Sequence, residues 1–125
     1  MVKSIISVIV ATALIAVGAT IENIALRKTF DELIVMNDLI VKKLDNDTAT
    51  SEDILSLQTF WHEKKRSLHV YVPHTELKEL DLWIAEAVTY VNYGKNDEAI
   101  AKLVVVKKLC EQIPKTFSLK IENLF

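Results

Sequence analysis

Residues 4–21 read SIISVIVATALIAVGATI, eighteen positions without a charge. At about 1.5 Å of rise per residue, a helix of that length spans ~27 Å, close to the hydrocarbon thickness of a bilayer. A soluble helix would carry a polar face. The polar side chains here are Ser4, Ser7, Thr12 and Thr20, hydroxyls small enough to bond back to their own helix. Three readings compete: a buried core helix, a cleaved signal peptide and a retained anchor. Lys3 supplies a minimal positive start, and Val17-Gly18-Ala19 suits cleavage after Ala19. The helical pattern does not break there, because Ile21, Ile24, Ala25 and Leu26 carry it past the cut, among Glu22 and Asn23. The chain is therefore read as an anchor over residues 1–25 that runs into a helical domain over residues 26–125. Lys3 on one side and Arg27 with Lys28 on the other leave the positive-inside rule nearly balanced. The expected arrangement is a single pass through the cell membrane, amino terminus in the cytoplasm and domain outside.

The 125 residues hold one ordinary domain. The mean hydropathy of +0.22 is inflated by the opening run; the rest of the chain is a soluble mixture long enough to bury a core. Fifteen basic against seventeen acidic side chains leave a net charge of −2, with a pI near 5.9. Nucleic-acid binders show a basic face and a high pI, so no nucleic-acid partner is expected. The lone Cys110 permits no intrachain disulfide. Two glycines, Gly18 and Gly94, are too few for a glycine-rich phosphate loop. Scarce Gly and Pro beside abundant Leu, Ile, Ala, Lys and Glu point to an all-α protein.

Beyond the run, apolar residues step by three and four through Leu26, Phe30, Leu33, Ile40 and Leu44, with Asn37 in the vacant slot. That spacing makes a helix with a narrow seam, in which Asn37 is either a buried register residue or a solvated one at the edge. DNDTATS at 45–51 is a loop, and Thr50-x-x-Asp53 offers a helix start. The next helix buries Ile54, Leu57, Trp61 and Leu68 and stops before Pro73, which disfavours helix at Val72. Residues 68–72 also alternate with the period of a strand; they are kept helical because the preceding turns are. Leu77, Leu80, Ile84, Ala87 and Val91 form the cleanest stripe, widened by Trp83, Val88 and Tyr90. Gly94 suits a left-handed helix end, and Asp97 suits the next cap. The following helix carries Ile100, Leu103, Val106, Cys110 and Ile113 and is expected to stop at Pro114. Phe117, Ile121 and Leu124 repeat the spacing as a short C-terminal helix. The expected architecture is an antiparallel bundle of two helical hairpins, residues 26–72 and 75–113, about four helices in all.

Chemistry is sparse. HEKKR at 62–66 shares two residues with the zinc-protease helix, which needs a second His four positions after the first; that position is Arg66. His62 and His69 lie seven apart with no carboxylate evidently facing them. Cys110 sits on an apolar face, where a buried structural thiol is the common case. Lys42 and Lys43, Lys64 to Arg66, and Lys107 and Lys108 are short basic patches that read as solvated faces, or as contacts to anionic head groups if they face a bilayer. No cofactor and no metal are expected.

Trp61, Lys64-Lys65, Leu68, His74-Thr75-Glu76, Leu80-Asp81 and the closing IPKTFSLKIENLF resemble the domain of unknown function 4363 family. These are small proteins, mostly of spore-forming Gram-positive anaerobes, with an amino-terminal anchor and a helical domain. Two departures are Leu68, where the family pattern has an aromatic, and Pro73 just before His74. The resemblance implies no established activity, and it implies a multipass membrane protein as a candidate partner.

Two functions are expected to compete. One is a non-enzymatic, membrane-anchored interaction module, with the lipid bilayer and a membrane protein as partners. The other is a small-ligand receptor or enzyme with its site near His74, Glu76 and Asp81. His74 and Glu76 would open a helix after Pro73, Glu76 complementing the helix dipole, and the pair with Asp81 would be the polar contact to a partner. Cleavage of the run would instead give a secreted helical protein.

Overall fold

The computed structural model describes residues 2–69 and 72–124, and the side chains of all of these except 118, 120–122 and 124. It has four α-helices and, among the described residues, no strand: α1 (Val2–Asp45), α2 (Ser51–Leu68), α3 (His74–Asn92) and α4 (Asn96–Leu124). Each helix packs on two neighbours in the ring α1–α2–α3–α4, and among the described residues the backbones of the diagonal pairs stay apart.

α1 is one helix through both parts of the chain. Its apolar end holds an eighteen-residue window of mean hydropathy 2.4, none of it buried within the fold. Thr12 and Thr20 donate their hydroxyls to the Val8 and Ala16 carbonyls at 2.8 and 2.9 Å, so their polarity is absorbed by the helix itself. From Leu26 on, one face is buried: Leu26, Phe30, Leu33, Asn37, Ile40 and Leu44. The change falls where α2 ends. α2 has 18 residues, ~27 Å at helical rise, which carries it from the Leu44 level back to that of Leu26. There Ser67 and Leu68 border one small cavity with Ile21, Ala25 and Leu26.

The α1–α2 turn is built from caps. Thr50 and Asp53 form the expected capping box, with the Thr50 N–H donating to Asp53 Oδ2 at 2.9 Å. Lys43 of α1 donates to Asp53 Oδ1 at 3.0 Å. The Thr50 backbone N–H, and then Lys43, hold the Asp53 carboxyl below 3.8. Asp47 has a φ of 56° and Gly94 one of 71°, each the left-handed residue of a helix end. After α3, Gly94 N–H donates to Val91 O and Lys95 N–H to Tyr90 O, at 3.0 and 2.8 Å, the paired closure that satisfies last-turn carbonyls. Asn96, rather than Asp97, ties this turn to the other, donating to Leu44 O at 3.3 Å and Asp47 Oδ1 at 2.9 Å.

Two boundaries differ from expectation. α2 ends at Leu68, not Val72. Pro73 disfavours the helical conformation before it, and the chain leaves by a turn in which Val72 N–H donates to Leu68 O at 3.0 Å. Leu68 and Val72 are both buried and fasten that turn under the core. Val70 and Tyr71, part of the strand alternative, lie outside the described residues. The second difference is at Pro114, which stands inside α4; the tail continues that helix and is no separate one. Proline there removes the bond to the Cys110 carbonyl, at about 3 kcal/mol for a helix interior. Packing offsets it: Cys110 and Ile113 are buried before the proline and Phe117 packs on the core after it.

α1 and α4 run antiparallel. Asn37 Nδ2 donates to Leu103 O at 3.0 Å, and Lys107 pairs with Asp38 at 3.1 Å. Asn37 is therefore the buried register residue, not a solvated edge. Its Oδ1 is buried without a partner among the described residues, a cost that any sliding of α4 would increase by freeing the amide as well. Ala16 and Asn23 are half-buried on the same line of α1 as Asn37. Of the helices, only α2 and α4 pack on α1, so the last turns of α4 lie alongside the end of the apolar run.

Candidate functional site

The polar residues singled out in the sequence lie on α2, α3 and the turn between them. Trp61 and Lys65, four apart, share one face of α2. Trp61 is fully buried, its ring 6.4 Å from that of Phe30 of α1. A buried indole needs an acceptor for its N–H, and Asp81 of α3 supplies it: Trp61 Nε1 donates to Asp81 Oδ1 at 2.6 Å. Lys65 Nζ donates to the other oxygen, Oδ2, and closes an ion pair that is about one-quarter exposed on each side. Both Asp81 oxygens are thus engaged within the chain. Charge-assisted bonds of this kind are the stronger class, and this group clamps α2 to α3.

His74 is the first residue of α3, after Pro73, and no side chain caps that end. Its ring stacks on that of His69, centroids 5.6 Å apart and planes 16° from parallel. Both imidazoles are exposed at the end of the bundle nearest the apolar run. Glu76 lies in the first turn, as expected for a residue that favours the helix dipole. His74 and Asp81 are seven residues apart, about 10 Å along the helix, and Glu76 lies on another face. The structure places all three on α3 but does not gather them into a cavity.

The other candidates are spread apart. His62 is exposed on α2. No group of three or more His, Cys, Asp or Glu side chains that could hold a metal forms among the described residues. Cys110 is buried in the core, and burial, then Glu111, pushes its thiol up to about 12, far from a nucleophile's range. Each basic patch gives one lysine to an acid on a neighbouring helix: Lys43 to Asp53, Lys65 to Asp81 and Lys107 to Asp38. Lys102 does the same with Glu86 at 3.2 Å while lying over the Trp83 ring, 4.8 Å from its centroid. Sequence reasoning missed the Trp61–Asp81 bond. The four-residue step from Trp61 to Lys65 was the available signal, since it aims an N–H and an ammonium at the same neighbour.

The family model described as domain of unknown function (DUF4363) matches residues 20–124. No curated protein and no solved structure matches the chain. The matched segment takes in the whole bundle and the clamp that joins α2 to α3, and on that match the chain belongs to the DUF4363 family.

Proposed function

We propose that this protein is a single-pass, membrane-anchored helical module, non-enzymatic, with its bundle on the outer side of the cell membrane as a docking or accessory element for a membrane protein. The observation that carries this reading is the division of α1. An apolar window long enough to cross a bilayer is left uncovered by the fold, while the same helix supplies one wall of the bundle. Such a helix holds the domain at a set height and orientation, with the α2–α3 turn and its two histidines facing the lipid surface. The ionic groups support a structural reading, because Asp81, Lys65, Lys43 and Lys107 hold helices together.

Membrane fractionation, with the intact mass of the protein, tests the anchor. Recovery of the full-length mass in the carbonate-resistant fraction is expected. A soluble exported product that begins at Thr20 overturns it in favour of secretion. Protease added to protoplasts is expected to digest residues 26–125; protection reverses the orientation. Affinity purification from native membranes tests the module, a stoichiometric membrane protein being the expected companion. Turnover of a small molecule by the purified chain would replace it with an enzyme.

A further inference from the structure

The contact between Asn37 and Leu103 fixes how far α4 reaches along α1. Asn37 Nδ2 donates to Leu103 O at 3.0 Å. From that level the two antiparallel helices advance in opposite directions, each at about 1.5 Å per residue. Leu119 lies sixteen residues beyond Leu103 on α4, and Ile21 lies sixteen before Asn37 on α1, so the two come level. Four residues further, Asn123 comes level with Val17. Burial on α1 agrees with this register past Pro114. Ala16, Ala19 and Asn23 are half-buried on the line that carries Asn37. α2 has already turned back near Leu26, and α4 is the other helix that packs on α1. The end of α4 therefore overlaps the uncharged run, which closes at Ile21 before Glu22.

We infer that the last turns of α4 are a second membrane contact, seated in the interfacial layer of the bilayer on the domain side, beside the end of the anchor. The inference rests on the membrane-anchored reading, because the apolar run of α1 sets where the bilayer lies. Leu124 ends α4 six residues past the level of Glu22, about 9 Å at helical rise. Interfacial helices bury their apolar side about 5–10 Å into the boundary between head groups and chains. Composition fits that layer. Residues 117–125 read FSLKIENLF, five apolar residues beside Lys120 and Glu122. Those charges stay hydrated among head groups and would be costly at the bilayer centre. Phe117 packs on the core, whereas Leu119 stands 58% exposed and Asn123, one turn on, is exposed as well. A lone spanning helix leaves the bundle free to swivel about its axis. A second contact off that axis fixes which side of the bundle faces the lipid.

The full-length protein in phosphatidylcholine vesicles tests this, with a fluorescent label on single introduced cysteines at Val8, Leu119, Asn123 and Tyr93. The natural Cys110 is buried and stays unlabelled. Two quenchers report position: a nitroxide on the lipid chain near the head group, and iodide equilibrated on both sides of the vesicle wall. Tyr93, exposed at the far end of α3, marks the aqueous limit. Labels on Leu119→Cys and Asn123→Cys are expected to be quenched by the lipid nitroxide several-fold more than on Tyr93→Cys, and by iodide several-fold less. Asn123→Cys is expected to be the better shielded of the two from iodide, being the deeper. Lipid quenching at Val8→Cys, with Leu119→Cys and Asn123→Cys behaving as Tyr93→Cys does, overturns the second contact and leaves the anchor. Iodide quenching at Val8→Cys equal to that at Tyr93→Cys overturns the anchor reading and the second contact with it.

Discussion

Residues 2–25 and 26–45 belong to one helix, and they differ in what covers them. In the first, Ile5, Val8, Ile9, Leu14 and Val17 are each more than half exposed, although their side chains are as apolar as those of any core. In the second, Phe30 and Leu33 are fully buried and most outer positions are polar, Val35 and Leu39 being the exposed apolar exceptions. A helix can be long and continuous in two settings only if its side chains change pattern between them. Here the all-round apolar surface gives way to a stripe near Leu26, at the depth where α2 turns back.

That contrast predicts unequal responses to similar substitutions. Phe30→Ala should lower the urea stability of the bundle by about 3–5 kcal/mol, because a buried ring leaves a cavity beside Trp61. Leu14→Ala should leave the same transition in detergent unchanged. Equal effects would mean that the apolar run packs into the fold. A smaller and opposite contrast comes from charge: Ile9→Lys should disfavour insertion by about 2.5–3.5 kcal/mol and reduce membrane retention. Its effect on the bundle's cooperative melt should be negligible.

Within the bundle, Asp81→Ala strands the buried Trp61 N–H and should cost about 1–3 kcal/mol, read as a lower denaturant midpoint. His74→Ala should have little effect, since its contact is an exposed ring stack. A larger loss at His74 than at Asp81 would reverse the structural assignment of the two. The smallest effect is at Asp53. Its folded pKa is depressed below 3.8, so its contribution is present above 3.8 and is lost as pH falls through the lower folded value. The stability gap between the natural protein and Asp53→Asn should accordingly narrow as pH drops below 3.8. A gap that widens would contradict the cap geometry.

The buried faces were legible because a helix writes its core into the sequence at three- and four-residue steps. Leu26, Phe30, Leu33, Ile40 and Leu44 stand out this way, as do Ile54, Leu57, Trp61 and Leu68. The Thr50 cap and the Gly94 turn were legible because their chemistry is local. The helix beyond Pro114 was not: a proline carries a local stop signal, and only the burial of Ile113 and Phe117 against other helices overrides it. The bonds of Asp81 to Trp61 and Lys65 were not legible, because those two residues lie on another helix. Which α2 residues Asp81 meets depends on how α3 is rotated about its axis, a quantity set by the packed core. The His69–His74 stack was hidden for the same reason, since it needs the end of α2 and the start of α3 to come together.

A membrane-anchored bundle of this design requires α1 to cross from lipid into water without a break. Spin labels placed singly along residues 5–35 of a Cys110→Ala protein in reconstituted bilayers report on that crossing, with relaxation by oxygen and by a water-soluble nickel complex as the readout. Oxygen access should dominate from Ile5 to Val17, nickel access should rise between Ile21 and Lys28, and labels on both sides of that boundary should keep the mobility of a continuous helix. Nickel access throughout residues 5–17, or a mobile break between the two halves, would contradict an anchor that is continuous with the bundle.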